Sequence, residues 1–350
     1  MDSFGERFKI TLTGTARGES VGCVLSGIPG GTVLDEAAIK AMLIRRAPRA
    51  DGLSTPRRET DAYELASGVV NGVCTGEPLT VIMKNRDVKH GDPINIPRPS
   101  HADLALKQKF GSEFDPYDYV TSGRMTAPIV FAGAVAMGLI KDRGVSIGSH
   151  ILSIGTLYDR RFDKSVDAAA LSGLDADFPL LDRALKADML ERLHMARQRG
   201  DSLGGSVECA AVGLPTGLGE PFFNKLSAKL AHAMLSIPAV RGIWFGDERI
   251  RELAGSEAND PIGVRDGRAV PLENRSGGLN GGMTNGMPLI VGVSFRPAPT
   301  IRLPQRTVEL DTLNETEHSF ISRSDVCVLP RAAVVAESMM AIALIDELMR

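Results

Sequence analysis

The sequence predicts an α+β fold in which one unit of structure occurs twice, and two observations carry the prediction. The segments Ser67-Gly68-Val69-Val70-Asn71-Gly72-Val73-Cys74-Thr75-Gly76-Glu77-Pro78-Leu79 and Ser276-Gly277-Gly278-Leu279-Asn280-Gly281-Gly282-Met283-Thr284-Asn285-Gly286-Met287-Pro288-Leu289 read alike. Each joins a Gly/Asn-rich turn to an apolar run, Leu79 to Met83 and Leu289 to Phe295, whose length and β-branched content suit a buried strand. Other landmarks recur in the same order. Val24 to Ile28 runs into Pro29-Gly30-Gly31 before a helical pattern, as Val207 to Leu214 runs into Pro215-Thr216-Gly217 before another. An Arg-Pro pair follows each Gly-rich element, Arg98-Pro99 and Arg296-Pro297, and each half closes on a small-residue apolar helix, Arg124 to Ile140 and Arg331 to Leu348. The expected organisation is one domain over 1–350, with pseudo-repeats at about 1–150 and 200–350 around a pseudo-twofold axis. The seam between two such units is a natural place for a ligand pocket.

The remaining elements follow from caps and periodicity. Asp35 is placed to cap a helix that carries Ile39, Met42 and Leu43 on one face and Arg45 and Arg46 in its last turn. A polar connection, Ser172 to Asp182, leads into a helix over Ala184 to Gln198 with Leu185, Met189, Leu190 and Leu193 at helical spacing. Gly200-Asp201-Ser202-Leu203-Gly204-Gly205 breaks that helix and opens the second half. Further helices are expected near Asn224 to Leu235 and after Pro330.

Composition narrows the function classes. At 350 residues and 43% apolar content the chain can bury a large core, and no hydrophobic stretch is read as reaching the eighteen or so residues of a membrane span. Met1-Asp2-Ser3-Phe4-Gly5-Glu6-Arg7 has neither the basic nor the apolar region of a secretory signal. Cys23, Cys74, Cys209 and Cys327 are far apart, so neither a zinc site nor a disulfide framework is indicated, and a cytoplasmic protein without metal is expected. A formal net charge of -3 argues against nucleic acid as a partner while allowing a locally basic pocket.

The polar residues beside the Gly-rich turns are mostly arginines: Arg45, Arg46, Arg57, Arg58, Arg98, Arg124, Arg323 and Arg331. A planar guanidinium matches phosphate and carboxylate oxygens, so several converging from turns and helix ends would hold a polyanion. Taken singly, most read more readily as solvated helix-end charges. Arg57-Arg58-Glu59 and Arg323-Ser324-Asp325 stand out because they lie in turn-like contexts, where functional groups are often carried.

In this order the motifs resemble those of chorismate synthase. The resemblance rests on Gly18-Glu19-Ser20-Val21-Gly22, Arg45-Arg46-Ala47-Pro48, Arg57-Arg58-Glu59, Arg98-Pro99-Ser100-His101-Ala102-Asp103, Gly200-Asp201-Ser202-Leu203-Gly204-Gly205, Gly217-Leu218-Gly219-Glu220-Pro221-Phe222-Phe223 and Arg323-Ser324-Asp325-Val326-Cys327, and it spans essentially the whole chain. It implies a β-α-β sandwich and a homotetramer. It also implies a 1,4-anti elimination of phosphate from 5-enolpyruvylshikimate-3-phosphate, using reduced FMN, with NADPH as a candidate reductant. A catalytically degenerate or re-purposed paralogue that keeps the anion and flavin site is the alternative, since fold alone does not fix function.

Carried over residue by residue, the resemblance implies catalytic roles for His101, Asp325, Ser20 and Ser122. It implies flavin contacts from Thr121, Ser122, Gly281, Arg296, Thr300 and Arg323, and substrate contacts from Arg46, Arg124 and Arg323. Several departures accompany it, among them Ser100 for the Gly beside His101, Ser324 and Val326 for the His and Pro around Asp325, and Asn280 where an apolar residue is usual. Val21 stands where the family has the His that is thought to protonate the departing phosphate; Tyr119 and Val120 replace glycines ahead of Thr121-Ser122; and Arg296 replaces a Lys. Other readings of single residues stay open: Asp325 as the N-cap of the terminal helix, Ser20 and Ser122 as serines that satisfy turn backbone, His101 as a surface histidine. His90, His150, His194, His232 and His318 show no ligand spacing and read as ordinary surface or core residues.

Overall fold

The computed structural model describes residues 2–88, 94–111, 113–114, 116, 122–320 and 323–350. Two five-stranded antiparallel sheets enclose a layer of helices. The first sheet contains β1 (Ser3–Phe4), β2 (Lys9–Gly14), β3 (Ser20–Ser26), β4 (Glu64–Ser67) and β5 (Leu79–Lys84), in the order β1-β2-β3-β5-β4. The second contains β6 (Ser146–Ile154), β7 (Leu157–Tyr158), β8 (Gly205–Val212), β9 (Val240–Phe245) and β10 (Leu289–Phe295), in the order β9-β10-β8-β6-β7. Between them lie α1 (Glu36–Arg46), α3 (Thr126–Lys141), α5 (Leu226–Leu235) and α6 (Leu329–Leu348); α2 (Asp103–Phe110) and α4 (Lys186–Arg199) are the other long helices among the described residues. α3 runs against α6, with α1 on α3 and α5 on α6, while α3 covers β2 and β3 and α6 covers β6 and β8. This is an α+β fold of the β-α-β sandwich type.

The sheets share a plan. β2, β3, β5 and β4 neighbour one another as β6, β8, β10 and β9 do. The similarity extends to single hydrogen bonds: Thr75 N–H donates to Gly68 O at 3.0 Å and Asn285 N–H to Gly278 O at 3.0 Å, and Gly31 N–H reaches Cys74 O at 2.8 Å as Gly217 N–H reaches Thr284 O at 2.8 Å. Gly68 and Gly278 have φ of +79° and +81°, and a Cβ on either would come within 2.5 Å of the carbonyl of Pro78 or Pro288. Each position therefore requires glycine, which is why the two segments look alike in sequence.

Four details differ from the sequence expectation. β6 pairs with β8, so the strands of the second sheet begin before residue 150, not at 200, and 155–204 is a long excursion between neighbouring strands. The strand expected over Val24 to Ile28 lies instead at Ser20–Ser26, because the chain turns at Gly27, whose φ is +88°. Gly123–Lys141 is long and apolar enough to cross a membrane, yet 83% of that span is buried between the two sheets; its composition is that of a core helix. Finally, α6 starts at Leu329 with Val328 at its N-cap, so Asp325 is not its cap.

Amphipathic alternation places the core. On β5 the alternate residues Leu79, Val81 and Met83 are buried, and on β3 Val21, Cys23 and Leu25 are likewise buried in the same apolar cluster. β10 is buried on nearly every residue because the excursion covers its outer face, where Ile290 meets Phe162, Leu171 and Ala210. All four cysteines are buried and unpaired, and burial pushes the Cys327 thiol up to about 12, so these thiols pack as apolar groups.

Candidate active-site cleft

A cleft of about 660 Å³ opens at the seam between the two units. One wall is the irregular segment 48–60; the other combines the end of α4 (Arg197, Gly200 to Ser202), the turn Thr300 to Arg302, and Ser324 to Val326. Backbone bonds hold the walls in register: Val326 N–H donates to Leu53 O at 2.8 Å and Arg302 N–H to Gly200 O at 2.8 Å. Five arginines (Arg49, Arg57, Arg58, Arg197 and Arg302) line the cleft against three carboxylates, Glu59, Asp201 and Asp325, and two of those carboxylates are already occupied. Glu59 takes Arg57 Nε at 3.1 Å and the N–H groups of Arg86 and Asp87 at 3.2 Å. Asp325 takes both Arg331 Nη1 contacts, at 2.8 and 2.9 Å, and Thr55 N–H at 3.1 Å. The cleft is cationic and suits an anion.

Directly behind the wall lies a buried network. Asp61, 2% exposed, accepts from Arg46 Nε at 2.7 Å and Nη2 at 3.0 Å, and from Arg124 Nη1. Arg124 Nε donates to Asn85 Oδ1 at 2.9 Å, and Asn85 in turn donates to the carbonyls of Thr15 at 3.0 Å and Gly18 at 2.8 Å. Burial first, then the neighbouring Arg331 and Arg124, lower the Arg46 guanidinium to about 10 against the opposing pull of Asp61. Arg124 Nη2 is buried with no hydrogen-bond partner and stands 4.0 Å from Glu59 Oε2. A donor of this kind is costly to leave unmade, and an anion would satisfy it.

A third group forms at the start of α2. Asp103 accepts from Arg98 N–H at 3.0 Å, Nε at 2.7 Å and Nη2 at 2.7 Å, and from His101 Nδ1 at 2.7 Å. Burial would raise this carboxyl, but the hydrogen bonds from Arg98 and His101 hold it well below the usual carboxylate range. A charged Asp103 favours the His101 tautomer that carries its proton on Nδ1. Ser100, beside it, has φ +59° and its carbonyl accepts from Arg296 Nη1 at 2.7 Å, joining this group to the segment after β10. Arg323 pairs with Asp87, which also accepts Arg58 N–H at 2.8 Å; these bonds draw the Asp87 carboxyl down.

The expected site residues therefore do not all meet. Asp325 and Thr300 line the cleft. Arg46 and Arg124, expected at the substrate, are 2% and 5% exposed and spend themselves on Asp61, one layer behind the wall. His101, Arg296 and Arg323 stand in the two adjoining clusters. Ser122 accepts Arg124 N–H at 3.2 Å as the cap of a short 3-10 turn, so its hydroxyl serves the backbone. Ser20 begins β3 opposite Lys84. Gly281, with φ +61°, sits on the tip of the hairpin Leu279–Asn280/Met283–Thr284 beside α5, and is not among the residues of the cleft wall. Thr121, Tyr119, Val120 and His90 lie outside the described residues. Val21 is wholly buried, facing the helix layer opposite Met83.

Sequence reasoning missed Asp61, Asn85 and Asp87, the acceptors that orient the arginines, and also Arg197 and Arg302. The only signal for the acceptors was the spacing of Glu59 and Asp61 just after Arg57-Arg58.

Comparison with known proteins agrees with this architecture. The chorismate synthase family matches the chain over residues 8–349. Among curated proteins, the chorismate synthase of Pyrobaculum aerophilum is 41% identical over 355 residues, covering 100% of this chain and 96% of that protein. That of Thermococcus gammatolerans is 40% identical over 354 residues, covering 99% of this chain and 97% of that protein. A crystal structure of a chorismate synthase superposes with a TM-score of 0.78 at 27% identity, over 99% of this chain and 92% of that one. A sandwich of two sheets around paired helices, with an arginine-rich cleft at its seam and relatives alike over their full length, leaves one assignment: the chain belongs to the chorismate synthase family.

Proposed function

We propose that this chain is a chorismate synthase, a lyase of aromatic biosynthesis in the shikimate pathway. It would bind 5-enolpyruvylshikimate-3-phosphate together with reduced FMN and release phosphate and chorismate. The observation that carries the reading is the cationic cleft at the seam, with the unpartnered Arg124 donor behind it. The donor set fits two anionic ligands, since guanidinium groups stand beside the hydroxyls of Ser54, Thr55, Thr60 and Thr300. In the elimination the C–O bond to phosphate and one ring C–H bond break, a ring double bond is gained, and the hydrogen leaves as a proton. Reduced FMN, when bound, supplies electron density for phosphate departure and regains it, so no net oxidation occurs.

The chain's own residues bind, orient and move protons. Arg57 and Arg58 present charge to the substrate anions from the 48–60 wall, and Arg46 and Arg124 support that wall through Asp61 and Glu59. Thr300, Arg296, Arg323 and Ser122 are assigned to the flavin side. His101, with Nδ1 turned to Asp103, offers Nε2 for proton exchange, and Asp325, held by Arg331 and Thr55 N–H, is the carboxylate on the cleft wall. A cytoplasmic homotetramer with NADPH as reductant completes the proposal.

Position 21 favours a second reading, a paralogue that binds the same ligands without efficient turnover, because a buried Val supplies no proton to a leaving phosphate. A positioned general acid contributes roughly 10²- to 10⁴-fold, so its loss slows the reaction without abolishing it. Anaerobic incubation with reduced FMN and 5-enolpyruvylshikimate-3-phosphate, followed by chorismate absorbance and phosphate release, decides between them. Chorismate formation supports the first reading. Tight ligand binding with neither product supports the second.

A further inference from the structure

Three arginines of the cleft, Arg49, Arg197 and Arg302, have no counterpart among the residues that the family resemblance points to, and Arg49 is already engaged by Asp177. Arg197 lies in the last turn of α4, three residues before its C-cap Gly200, and Arg302 N–H donates to Gly200 O at 2.8 Å. A Cβ built on Gly200 would meet Arg302 Cβ at 3.0 Å, so the two backbones are in contact and both side chains leave from one wall. Arg197 is also fixed across the cleft: its guanidinium lies on the backbone of Gly52, where any Cβ would come within 2.0 Å of Nη1. Gly52 has φ +71°, so both its conformation and its neighbour demand glycine.

The charges on this wall are not balanced. Among the described residues neither the Arg197 nor the Arg302 guanidinium has an ion-pair or hydrogen-bond partner. Glu59 is taken by Arg57 and two backbone N–H groups and Asp325 by Arg331, which leaves Asp201, whose Oδ1 accepts only Ser202 N–H at 2.8 Å, as one carboxylate against two guanidinium groups. Two guanidinium forks leaving one wall, with the Asp201 carboxylate as the only negative side chain there not already paired with a cation, keep a net positive charge and match a dianion with several equivalent oxygens better than a single carboxylate.

We propose that Arg197 and Arg302 form a phosphomonoester subsite at the α4 end of the cleft. The proposal rests on the cleft's being the ligand site described above. The phosphate could be carried by the flavin mononucleotide or by the enolpyruvyl substrate, and the two are separated by ligands that lack it.

The test is calorimetric titration of the wild-type chain, Arg197→Gln and Arg302→Gln with FMN, riboflavin, 5-enolpyruvylshikimate-3-phosphate and 5-enolpyruvylshikimate. Each variant is expected to weaken one phosphate-bearing ligand by about tenfold or more and to leave its dephosphorylated counterpart within about twofold. Loss for FMN but not riboflavin assigns the subsite to the flavin phosphate; loss for the phosphorylated shikimate alone assigns it to the substrate. The proposal is overturned if neither phosphate-bearing ligand weakens beyond about twofold in either variant, if both members of a pair weaken equally, or if the wild type does not discriminate within either pair. Lys replacements at the same positions, which keep the charge, replace any Gln variant whose thermal unfolding shifts. Chorismate formation is read separately: a wild type that makes none, yet loses phosphate binding in the variants, removes the proposed activity and keeps the subsite. A wild type that makes chorismate while its variants bind normally does the reverse.

Discussion

Asp61→Asn isolates the charge that organises the arginines behind the cleft. The carboxylate accepts from Arg46 at 2.7 and 3.0 Å and from Arg124, and the side chains of both arginines are 2% exposed. Its φ of +51° is one that Asn adopts readily, so the exchange adds no backbone strain. Breaking a buried ion pair by removing one partner costs about 3–5 kcal/mol. Asn keeps one carbonyl acceptor, worth about 1 kcal/mol, so the expected loss is about 2–4 kcal/mol, measured as a lower urea midpoint with unchanged slope. The released guanidinium groups then lose their shared direction, and KM for the substrate is expected to rise more than kcat falls. A loss below about 1 kcal/mol, with KM unchanged, would refute the view that Asp61 organises this network.

Three further outcomes are expected. Asp325→Asn should slow chorismate formation by roughly 10²-fold or more with helix content intact, because Asp325 faces the cleft and caps no helix; equal initial rates at saturating reduced FMN would remove it from the chemistry. Val21→His should lower stability by about 1–3 kcal/mol, by overfilling the site opposite Met83, and speed phosphate release by roughly tenfold or more; an unchanged rate in a folded variant would remove this position from the leaving-group chemistry. His150, fully buried on β6, opposes Glu208 Oε2 at 3.2 Å, while its Nδ1 lies 3.4 Å from Asp159 Oδ2, a charge contact without aligned hydrogen bonding. Burial lowers this imidazole, but the two carboxylates outweigh it and leave it raised above 6.5. Its stabilising charge is thus fully present below 6.5 and lost as pH rises through the raised value. Unfolding free energy measured upward from neutral pH should fall more in the wild type than in His150→Gln; parallel profiles would refute the coupling.

The repeat was legible in the sequence because backbone constraints demand particular residues. Gly68 and Gly278 have no alternative at their φ values and contacts, and the apolar runs after them could only be buried strands. The Asp35 cap and the apolar face of α1 were equally local, and Asp35 does accept Ala38 N–H at 2.9 Å. The family was readable from motif order for the same reason, since turns carry their chemistry in contiguous residues. Distances between segments were not local. That β6 joins the second sheet depends on its pairing with β8 across more than fifty residues of chain. That Arg46 and Arg124 turn inward to Asp61, while Arg197 and Arg302 face the cleft, depends on which partners the folded walls bring within hydrogen-bond reach. An arginine in a sequence declares a charge and a reach; only the tertiary structure decides whether a buried carboxylate has already claimed it.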